Sequence, residues 1–207
     1  MNIENSFLKV AVTGGAGSGK TFVCSCFEKL GAKVISSDML ARETVVPGTS
    51  AYGKIVGYFG EKILKNDGFL NRKMLRRIIV NDDKARSILE GFVHPEIIEL
   101  MQQEMAKAKK LGFHVVVVEV PLLFELELEE NFDIVILVTI DKDLQVKRMM
   151  DRDAISCDDA NALLNVQMSD KERAKRTEYI IENSGSMEQT MRSVELIYKK
   201  IYSKTLK

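Results

Sequence analysis

The sequence predicts an α/β fold built on a mostly parallel sheet, and three observations support this. Residues 115–118 and 134–138 are continuous β-branched runs without alternation, as in strands that helices cover on both faces. Between the predicted strands, apolar residues recur at helical spacing. A length of 207 residues and a hydrophobic content of 45% suit a folded domain with large insertions.

The remaining strands and helices of the core follow in chain order. A first strand over 7–12 stops at a Thr-Gly-Gly turn, and a helix begins at Lys20 and ends at Gly31. A second strand follows over 32–36. A weaker fifth strand lies over 179–181, and Ser186 with Gln189 predicts the capping box of a final helix. Its expected apolar face comprises Met191, Val194, Ile197, Tyr198 and Ile201.

About 75 residues separate the second and third strands, far more than one crossover helix requires. Four helices are predicted there, over 50–59, 71–80, 85–92 and 95–111, the last with Pro95 at its first position. A second, charge-rich helical excursion begins at residue 141. We therefore predict a core of residues 1–38, 112–140 and 177–207, a helical substrate-binding insertion over 39–111 and a helical lid over 141–176.

Composition excludes several classes of protein. The 30 Lys and Arg residues balance 30 Asp and Glu residues, without the basic surplus typical of nucleic-acid binding. The cysteines Cys24, Cys26 and Cys157 fit neither a disulfide framework nor a zinc site, which indicates a reducing compartment. The start lacks signal-peptide features and no run of about 20 apolar residues occurs. We expect a cytoplasmic protein without membrane or nucleic-acid partners, and nothing indicates an obligate protein partner.

Residues 14–21, GGAGSGKT, match G-x-x-x-x-G-K-[ST] in full between a strand and a helix. This P-loop predicts the three-layer fold of P-loop NTPases and binding of a nucleoside triphosphate with Mg²⁺. Lys20 is expected to reach the β- and γ-phosphates, and the Thr21 hydroxyl to ligate Mg²⁺. The predicted nucleotide contacts also include Gly15, Ala16, Gly17, Ser18, Gly19 and Phe22.

The rest of the chain narrows the choice among P-loop proteins. No Asp-x-x-Gly occurs anywhere in the sequence, which disfavours a GTPase. Motor and transporter ATPases are normally larger. The two helical excursions instead suit a substrate domain and a lid that excludes water from phosphoryl transfer, so the sequence favours a small-molecule kinase.

Two acids follow predicted strands at the edge where ligands of parallel sheets collect. Asp38 is a candidate base that orients a substrate hydroxyl toward the γ-phosphorus, or it is a helix N-cap; both roles are compatible. Glu119 ends the third strand, where a Walker B acid would hold Mg²⁺ through water. A purely structural carboxylate is the equal alternative for Glu119.

Basic residues of the two excursions are candidate phosphate ligands. Arg148 and Arg152 stand four apart on one helix face and suit bidentate phosphate binding, or they form a solvated face paired with Asp151 and Asp153. A second basic group is expected to be a solvated face: Lys171, Arg173, Lys175 and Arg176. At most two arginines of the insertion are expected to bind substrate phosphate, out of Arg42, Arg72, Arg76 and Arg77.

Several motifs together resemble the dephospho-CoA kinase family over nearly the whole chain. They are TGGAGSGK (13–20), DMLAR (38–42), VPG (46–48), LNR (70–72), His94-Pro95, VPLLFE (120–125), Gln145 with Arg148, Arg152 and Asp153, Gln167, and Asn183-x-Gly185. The resemblance implies ATP-dependent phosphorylation of the ribose 3′-hydroxyl of dephospho-coenzyme A, the last step of coenzyme A synthesis.

The resemblance also implies roles for individual residues. Asp38 carries over as the hydroxyl-orienting base, Lys20 and Thr21 as donor and metal ligands, Arg148 as a lid arginine, and Asn183 as a residue near adenine. Candidates for the acceptor site are Asp38, Arg42, Arg72, His94 and Glu125. A histidine that precedes a helix-opening proline, as His94 does, is more often structural than catalytic. The sequence departs from the usual family pattern at Ala16, Phe22, Glu119 and Thr177-Glu178.

Two alternatives stay open at this point. A nucleoside or nucleoside monophosphate kinase of the same fold would share every argument from the phosphate loop. A non-catalytic nucleotide-binding regulator would bind ATP without acceptor-dependent release of ADP.

Overall fold

The computed structural model describes residues 6–205. In this part of the chain the strands are β1 (Leu8–Thr13), β2 (Lys33–Ser36), β3 (Val115–Glu119), β4 (Ile134–Thr139) and β5 (Tyr179–Glu182). The α-helices are α1 (Lys20–Lys29), α2 (Ser37–Glu43), α3 (Ser50–Phe59), α4 (Arg72–Val80), α5 (Asp83–Lys110), α6 (Lys142–Asp153), α7 (Cys157–Asn165), α8 (Asp170–Arg173) and α9 (Met187–Thr205). Short 3₁₀ turns cover Glu61–Ile63, Glu129–Asn131 and Ala174–Arg176.

The strands form one parallel sheet in the order β2-β3-β1-β4-β5. Every residue of β3 is buried, and so are the first five residues of β4, which confirms that helices cover both faces. β1 lies in the centre, so the loop leaving its carboxyl end is flanked by the ends of β3 and β4. The expected α/β fold is confirmed.

Helices α1 and α9 pack against the sheet through one apolar cluster. Phe27 of α1 and Val194 and Ile201 of α9 are fully buried there, and each such side chain contributes about 1.5–3 kcal/mol through burial. The expected capping box is present before α9: the Ser186 N–H donates to Gln189 Oε1 at 2.8 Å, and the Gln189 N–H donates to Ser186 Oγ at 3.2 Å. This packing fixes α1, and with it the loop that precedes α1.

The chain divides into two compact units, the first containing residues 6–36 and 105–205 and the second Ser37–Glu104. In the second unit α3 has the predicted bounds, and Asn71 caps α4 by accepting a hydrogen bond from the Met74 N–H at 3.1 Å. A separate apolar cluster holds this unit together and contains Ile55, Phe59, Ile63, Leu70, Leu75 and Ala85. The finer division into core, insertion and lid stays a prediction.

The prediction of two helices over 85–92 and 95–111 is wrong, because α5 runs unbroken from Asp83 to Lys110 with Pro95 inside it. A proline inside a helix removes the hydrogen bond to the carbonyl four residues earlier. Here that carbonyl belongs to Gly91, and both Gly91 and Pro95 are exposed. Water can therefore satisfy the carbonyl, and the helical segments on both sides continue as one.

The charge-rich segment after β4 is helical, as expected, and forms α6, α7 and α8. Val146 and Met149 of α6 and Ala160 of α7 make a small buried cluster. Asp141 caps α6, and its Oδ1 accepts hydrogen bonds from the Asp143 and Leu144 N–H groups. In the first unit, this cluster gives α6 a fixed face on which side chains can be presented.

The three cysteines are free thiols, with Cys24 and Cys26 buried and Cys157 exposed at the start of α7. Burial raises the pKa of the Cys24 thiol, and the nearby charge of Glu119 raises it further. Cys24 is therefore a neutral thiol at physiological pH.

Among residues 6–205, none of the helices has both the length and the apolar composition needed to cross a membrane.

Candidate phosphate-binding site

The loop between β1 and α1 is shaped by glycines whose neighbours approach closely. A Cβ on Gly14 would lie 2.3 Å from the Val138 carbonyl oxygen, and Gly14 has a φ of 148°. Gly17 and Gly19 also have positive φ, at 74° and 91°. Gly19 is the N-cap of α1 and supplies no side-chain hydrogen bond. The N–H groups of the first turn of α1, which have no intrahelical partner, are thus available to an anion.

Lys20 folds back over this loop. Its Nζ donates hydrogen bonds to the carbonyl oxygens of Gly14 and Gly15, both at 3.0 Å, and the residue is buried. These two carbonyls are neutral, so they orient the ammonium group without cancelling its charge. The position suits attraction of phosphate oxygens to the loop.

Thr21 and Glu119 bring two hard oxygen donors together. The Thr21 hydroxyl donates to Glu119 Oε1 at 2.9 Å, and Glu119 is buried at the end of β3. A hydroxyl and a single carboxylate, with water and phosphate oxygens completing the shell, are the usual environment of Mg²⁺ in nucleotide sites. The donor set therefore fits Mg²⁺.

Arg148 and Asn183 lie beside the loop. Arg148 donates from Nη2 to the Asn183 carbonyl at 3.3 Å, and its Nη1 is 3.4 Å from where a Cβ on Gly19 would be. The Asn183 side chain donates from Nδ2 to the Ser18 carbonyl at 2.8 Å and accepts from the Thr190 hydroxyl at 2.9 Å. Asn183 thus fastens the loop to β5 and α9, and its expected proximity to adenine stays a prediction.

Arg152 lies one turn further along α6 and makes a bidentate ion pair with Asp153, at 2.8 and 2.7 Å. Three-fifths of its side chain is exposed. This pairing agrees with the solvated-face alternative, and a phosphate contact by Arg152 stays a prediction.

The basic group over 171–176 is not solvated throughout, which corrects the expectation for Arg173. Its side chain is only 3% exposed and contacts Glu125 at 3.3 Å and Asp170 at 3.1 Å. The physical reason is local: Ser169 and Glu172 form a capping box that begins α8, and this short helix turns Arg173 inward, where two carboxylates neutralise it. Three members of the group are exposed, namely Lys171, Lys175 and Arg176.

Glu125 was expected as a possible acceptor ligand. It instead forms the ion pair with Arg173 and retains partial exposure, with 30% of its side chain accessible. An acceptor contact by Glu125 stays a prediction.

Two residues without a role in the sequence analysis contact the loop directly. Gln145 Nε2 donates to the Ala16 carbonyl at 2.7 Å, and the Ala16 N–H donates to Gln167 Oε1 at 3.1 Å. Both glutamines belong to the quoted family motifs, and Gln145 precedes Arg148 by three residues on the same helix face. This spacing could have indicated that Gln145 lies on the same side of α6 as Arg148 and faces the loop.

In the second unit, a pocket of about 330 Å³ collects basic side chains. Arg42 and Arg72 line it, whereas Arg76 and Arg77 are exposed on α4 outside it. The sequence analysis missed the remaining charged and aromatic lining, because these residues belong to no motif: Lys65, Lys73, Asp67 and Phe69.

Two further candidates lie in the second unit. Asp38 is exposed in the first turn of α2, whose first residue is Ser37, so Asp38 lies inside this helix and is not its N-cap. His94 is half-buried inside α5, and so it does not precede a helix start. Their acceptor contacts stay predictions.

Comparison with known proteins decides the family. The dephospho-CoA kinase family model matches residues 8–189. The dephospho-CoA kinase of Geobacter sulfurreducens is 42% identical over 191 residues, which cover 92% of this chain and 97% of that protein. The chain belongs to the dephospho-CoA kinase family.

Solved structures agree with this family and with its fold. The dephospho-CoA kinase of Campylobacter jejuni aligns with a TM-score of 0.73 and 31% identity, covering 95% of this chain and 98% of that one. A shikimate kinase from Bacteroides thetaiotaomicron aligns with a TM-score of 0.52 and 16% identity, covering 94% and 98%. The second likeness shows the P-loop kinase fold alone.

Within the dephospho-CoA kinase family, the departures noted above leave the loop geometry intact. Ala16 is held through its main-chain N–H and carbonyl, so the identity of its side chain has little effect on that position. Glu119 is longer than the usual aspartate, yet its carboxylate lies within hydrogen-bond distance of Thr21.

We predict that Gly14→Ala destabilises the protein and abolishes ATP binding. The added Cβ would meet the Val138 main chain at 2.3 Å, and main chain cannot rotate away as a side chain can. The free energy of unfolding should fall by about 1–3 kcal/mol, measured by urea denaturation. Gly53→Ala is the control, since a Cβ there meets nothing within 4 Å and should stabilise α3 by about 0.5–1 kcal/mol. An equally stable Gly14→Ala variant that binds ATP would contradict the loop geometry.

Proposed function

We propose that this protein transfers the γ-phosphoryl group of ATP to the ribose 3′-hydroxyl of dephospho-coenzyme A. The hydroxyl oxygen forms the new bond to phosphorus, the bond between the γ-phosphorus and the β,γ-bridging oxygen breaks, and ADP leaves. The products are coenzyme A and ADP, so this is the last step of coenzyme A synthesis. One observation carries the proposal: the family match extends over residues 8–189 and includes a complete phosphate loop.

On the donor side, the main-chain amides of the loop and of the first turn of α1 bind the phosphate oxygens of ATP. Lys20 adds a positive charge. Its attraction to the phosphate oxygens is stronger in the transition state, where negative charge develops, than in the ground state. Arg148, beside Gly19, is suited to bind the γ-phosphoryl group through two parallel hydrogen bonds. Mg²⁺ held by Thr21 and Glu119 would supply further neutralisation of the phosphates.

On the acceptor side, Asp38 orients the hydroxyl and takes its proton. The strand register supports this role, because Ser36, the last residue of β2, pairs with Glu119 in β3, and Asp38 follows two residues later. In a loose transition state the proton leaves late, so the orientation of the hydroxyl contributes more than the basicity of the carboxylate.

The basic pocket of the second unit is the proposed binding site for the phosphates and adenine of the acceptor. Its lining carries four cationic side chains against one carboxylate, Asp67. Phe69 is 48% exposed and offers a flat apolar surface on which a purine can stack. An anionic nucleotide-like acceptor matches both features.

The compartment proposed for this reaction is the cytoplasm. Cys24 and Cys26 are free thiols, as is usual where thiols are kept reduced.

A panel of acceptors tests the function. Purified protein is incubated with Mg-ATP and dephospho-coenzyme A, a nucleoside or a nucleoside monophosphate, and ADP release and phosphorylated product are measured. Of these acceptors, only dephospho-coenzyme A should give a phosphorylated product. Transfer only to a monophosphate would favour the nucleotide-kinase alternative, and ATP binding without acceptor-dependent ADP release would favour the regulator.

We predict that Asp38→Asn lowers kcat by about 10²-fold or more. The amide retains the shape of the side chain, but it has no negative charge and only one acceptor oxygen, so it orients the hydroxyl less well and cannot take its proton. The KM for ATP should change little, because Asp38 is proposed to contact the acceptor only. Steady-state kinetics with both substrates measures this. Asp83→Asn, at an exposed position in the first turn of α5, is the control with the same chemical change and should match the unmodified protein. Full activity of Asp38→Asn would remove Asp38 from the mechanism.

We predict that Arg72→Ala raises the KM for dephospho-coenzyme A by about 10-fold or more, because a charged hydrogen bond contributes about 1.5–3 kcal/mol. The KM for ATP should stay within about 2-fold, since this pocket serves the acceptor. Arg77→Ala is the matched control on the same helix, outside the pocket. A rise in the KM for ATP alone would place Arg72 with the donor and refute the assignment.

A further inference from the structure

One residue of the phosphate loop, Ala16, is held through both its main-chain N–H and its main-chain carbonyl by glutamine side chains. Gln145, in α6, donates from Nε2 to the Ala16 carbonyl at 2.7 Å. Gln167, between α7 and α8, accepts from the Ala16 N–H through Oε1 at 3.1 Å. The two side chains therefore act with opposite polarity on the same residue. We call this pair the glutamine clamp.

The loop is built to admit the clamp. A Cβ on Gly15 would lie 2.6 Å from Gln145 Nε2 and 3.5 Å from Gln167 Oε1, so the missing side chain at Gly15 leaves the room that the two glutamines occupy. A Cβ on Gly17 would lie 3.2 Å from the main-chain oxygen of Gln145. The glycines of the loop thus permit close contact with α6 as well as curvature around an anion.

The clamp is itself held in place. Gln145 is 8% exposed, and its helix is fixed by the cluster of Val146, Met149 and Ala160. Gln167 follows α7, and its N–H donates to the Leu164 carbonyl at the end of that helix at 3.2 Å. Each glutamine is therefore tied to a helix of the charge-rich segment.

We propose that Gln145 and Gln167 are positioning residues that hold the main chain on both sides of the Ala16 Cα so that the amides following it point toward the donor phosphates. This rests on the proposed function, in that ATP is the ligand of the loop. A loop with glycines at 14, 15, 17 and 19 has many conformations when unconstrained, and ordering it on binding would weaken affinity. The clamp orders it beforehand, which strengthens binding of ATP and preserves the alignment of phosphates for transfer.

The opposite polarity of the two hydrogen bonds makes the proposal testable with one substitution at both positions. Gln145→Glu replaces the donor by a carboxylate oxygen facing the Ala16 carbonyl, and so it breaks the bond and adds repulsion. Gln167→Glu retains the acceptor for the Ala16 N–H, and so it preserves the bond. Gln→Met at either position removes the bond without adding charge. Asn165 lines a cavity of about 240 Å³ that Gln145 and Gln167 also line. Asn165→Asp therefore adds the same charge beside the clamp and measures the effect of charge alone.

Affinity for Mg-ATP is measured by calorimetry at pH 8, together with KM for both substrates and the melting temperature. Gln145→Glu should raise the Kd for ATP by about 10-fold or more relative to Asn165→Asp. The Kd for ATP of Gln167→Glu should stay within about 3-fold of that of Asn165→Asp. The Kd of Gln167→Met should be higher than that of Gln167→Glu, because methionine cannot accept the hydrogen bond. In every variant the KM for dephospho-coenzyme A should stay nearly unchanged, because none of the substituted residues lines the proposed acceptor pocket.

The results separate the possible failures. Equal Kd values for Gln145→Glu and Gln167→Glu, or a tighter Gln145→Glu, would refute the clamp while leaving the proposed function intact. No ATP binding by the unmodified protein would refute the proposed function itself. If the Gln145 variants do not fold, the two variants at the half-buried Gln167 still test the proposal. The same Kd for ATP in Gln167→Met and Gln167→Glu would overturn it.

Discussion

Close approach of neighbouring groups to the main chain of its glycines is the constraint on which the phosphate loop depends. At Gly14 the loop lies so near the Val138 carbonyl that no Cβ fits, and at Gly19 the Asn183 side chain occupies the space where a Cβ would stand. These contacts require that β1, β4 and β5 lie side by side in parallel register. The sheet order is therefore what gives the loop its shape, and helix α1 follows from it.

Two kinds of contact hold this loop, and they act at different points. Main-chain packing against β4 fixes its start, whereas side-chain amides from Gln145, Gln167 and Asn183 bind its middle and end. Amide side chains carry no net charge, so they hold the main chain without competing electrostatically with a phosphate. The charged groups beside the loop, Lys20 and Arg148, remain oriented by neutral carbonyls.

Sequence reasoning recovered the parts of the fold that local patterns determine. The phosphate loop, the buried strands and α3 depend on residue order over a short stretch, and the structure confirms them. The predicted division of α5 into two helices at Pro95 is wrong. Whether a proline ends a helix depends on the solvation of the carbonyl four residues earlier, here that of Gly91, and this solvation depends on tertiary context. Arg173 was misjudged for a related reason: its burial depends on two carboxylates, one of them 48 residues away. Lys65, Lys73 and Phe69 were missed because only folding brings them into one pocket with Arg42.

The distribution of the cysteines has a practical consequence for observing this molecule. Two thiols lie in the core, where Cys24 is protonated, while the third is on the surface at the start of α7. A maleimide fluorophore applied to the native protein will therefore attach at Cys157 without any mutagenesis. That dye would sit on the helix that precedes Gln167, so its emission would show whether this segment keeps its position when nucleotide arrives.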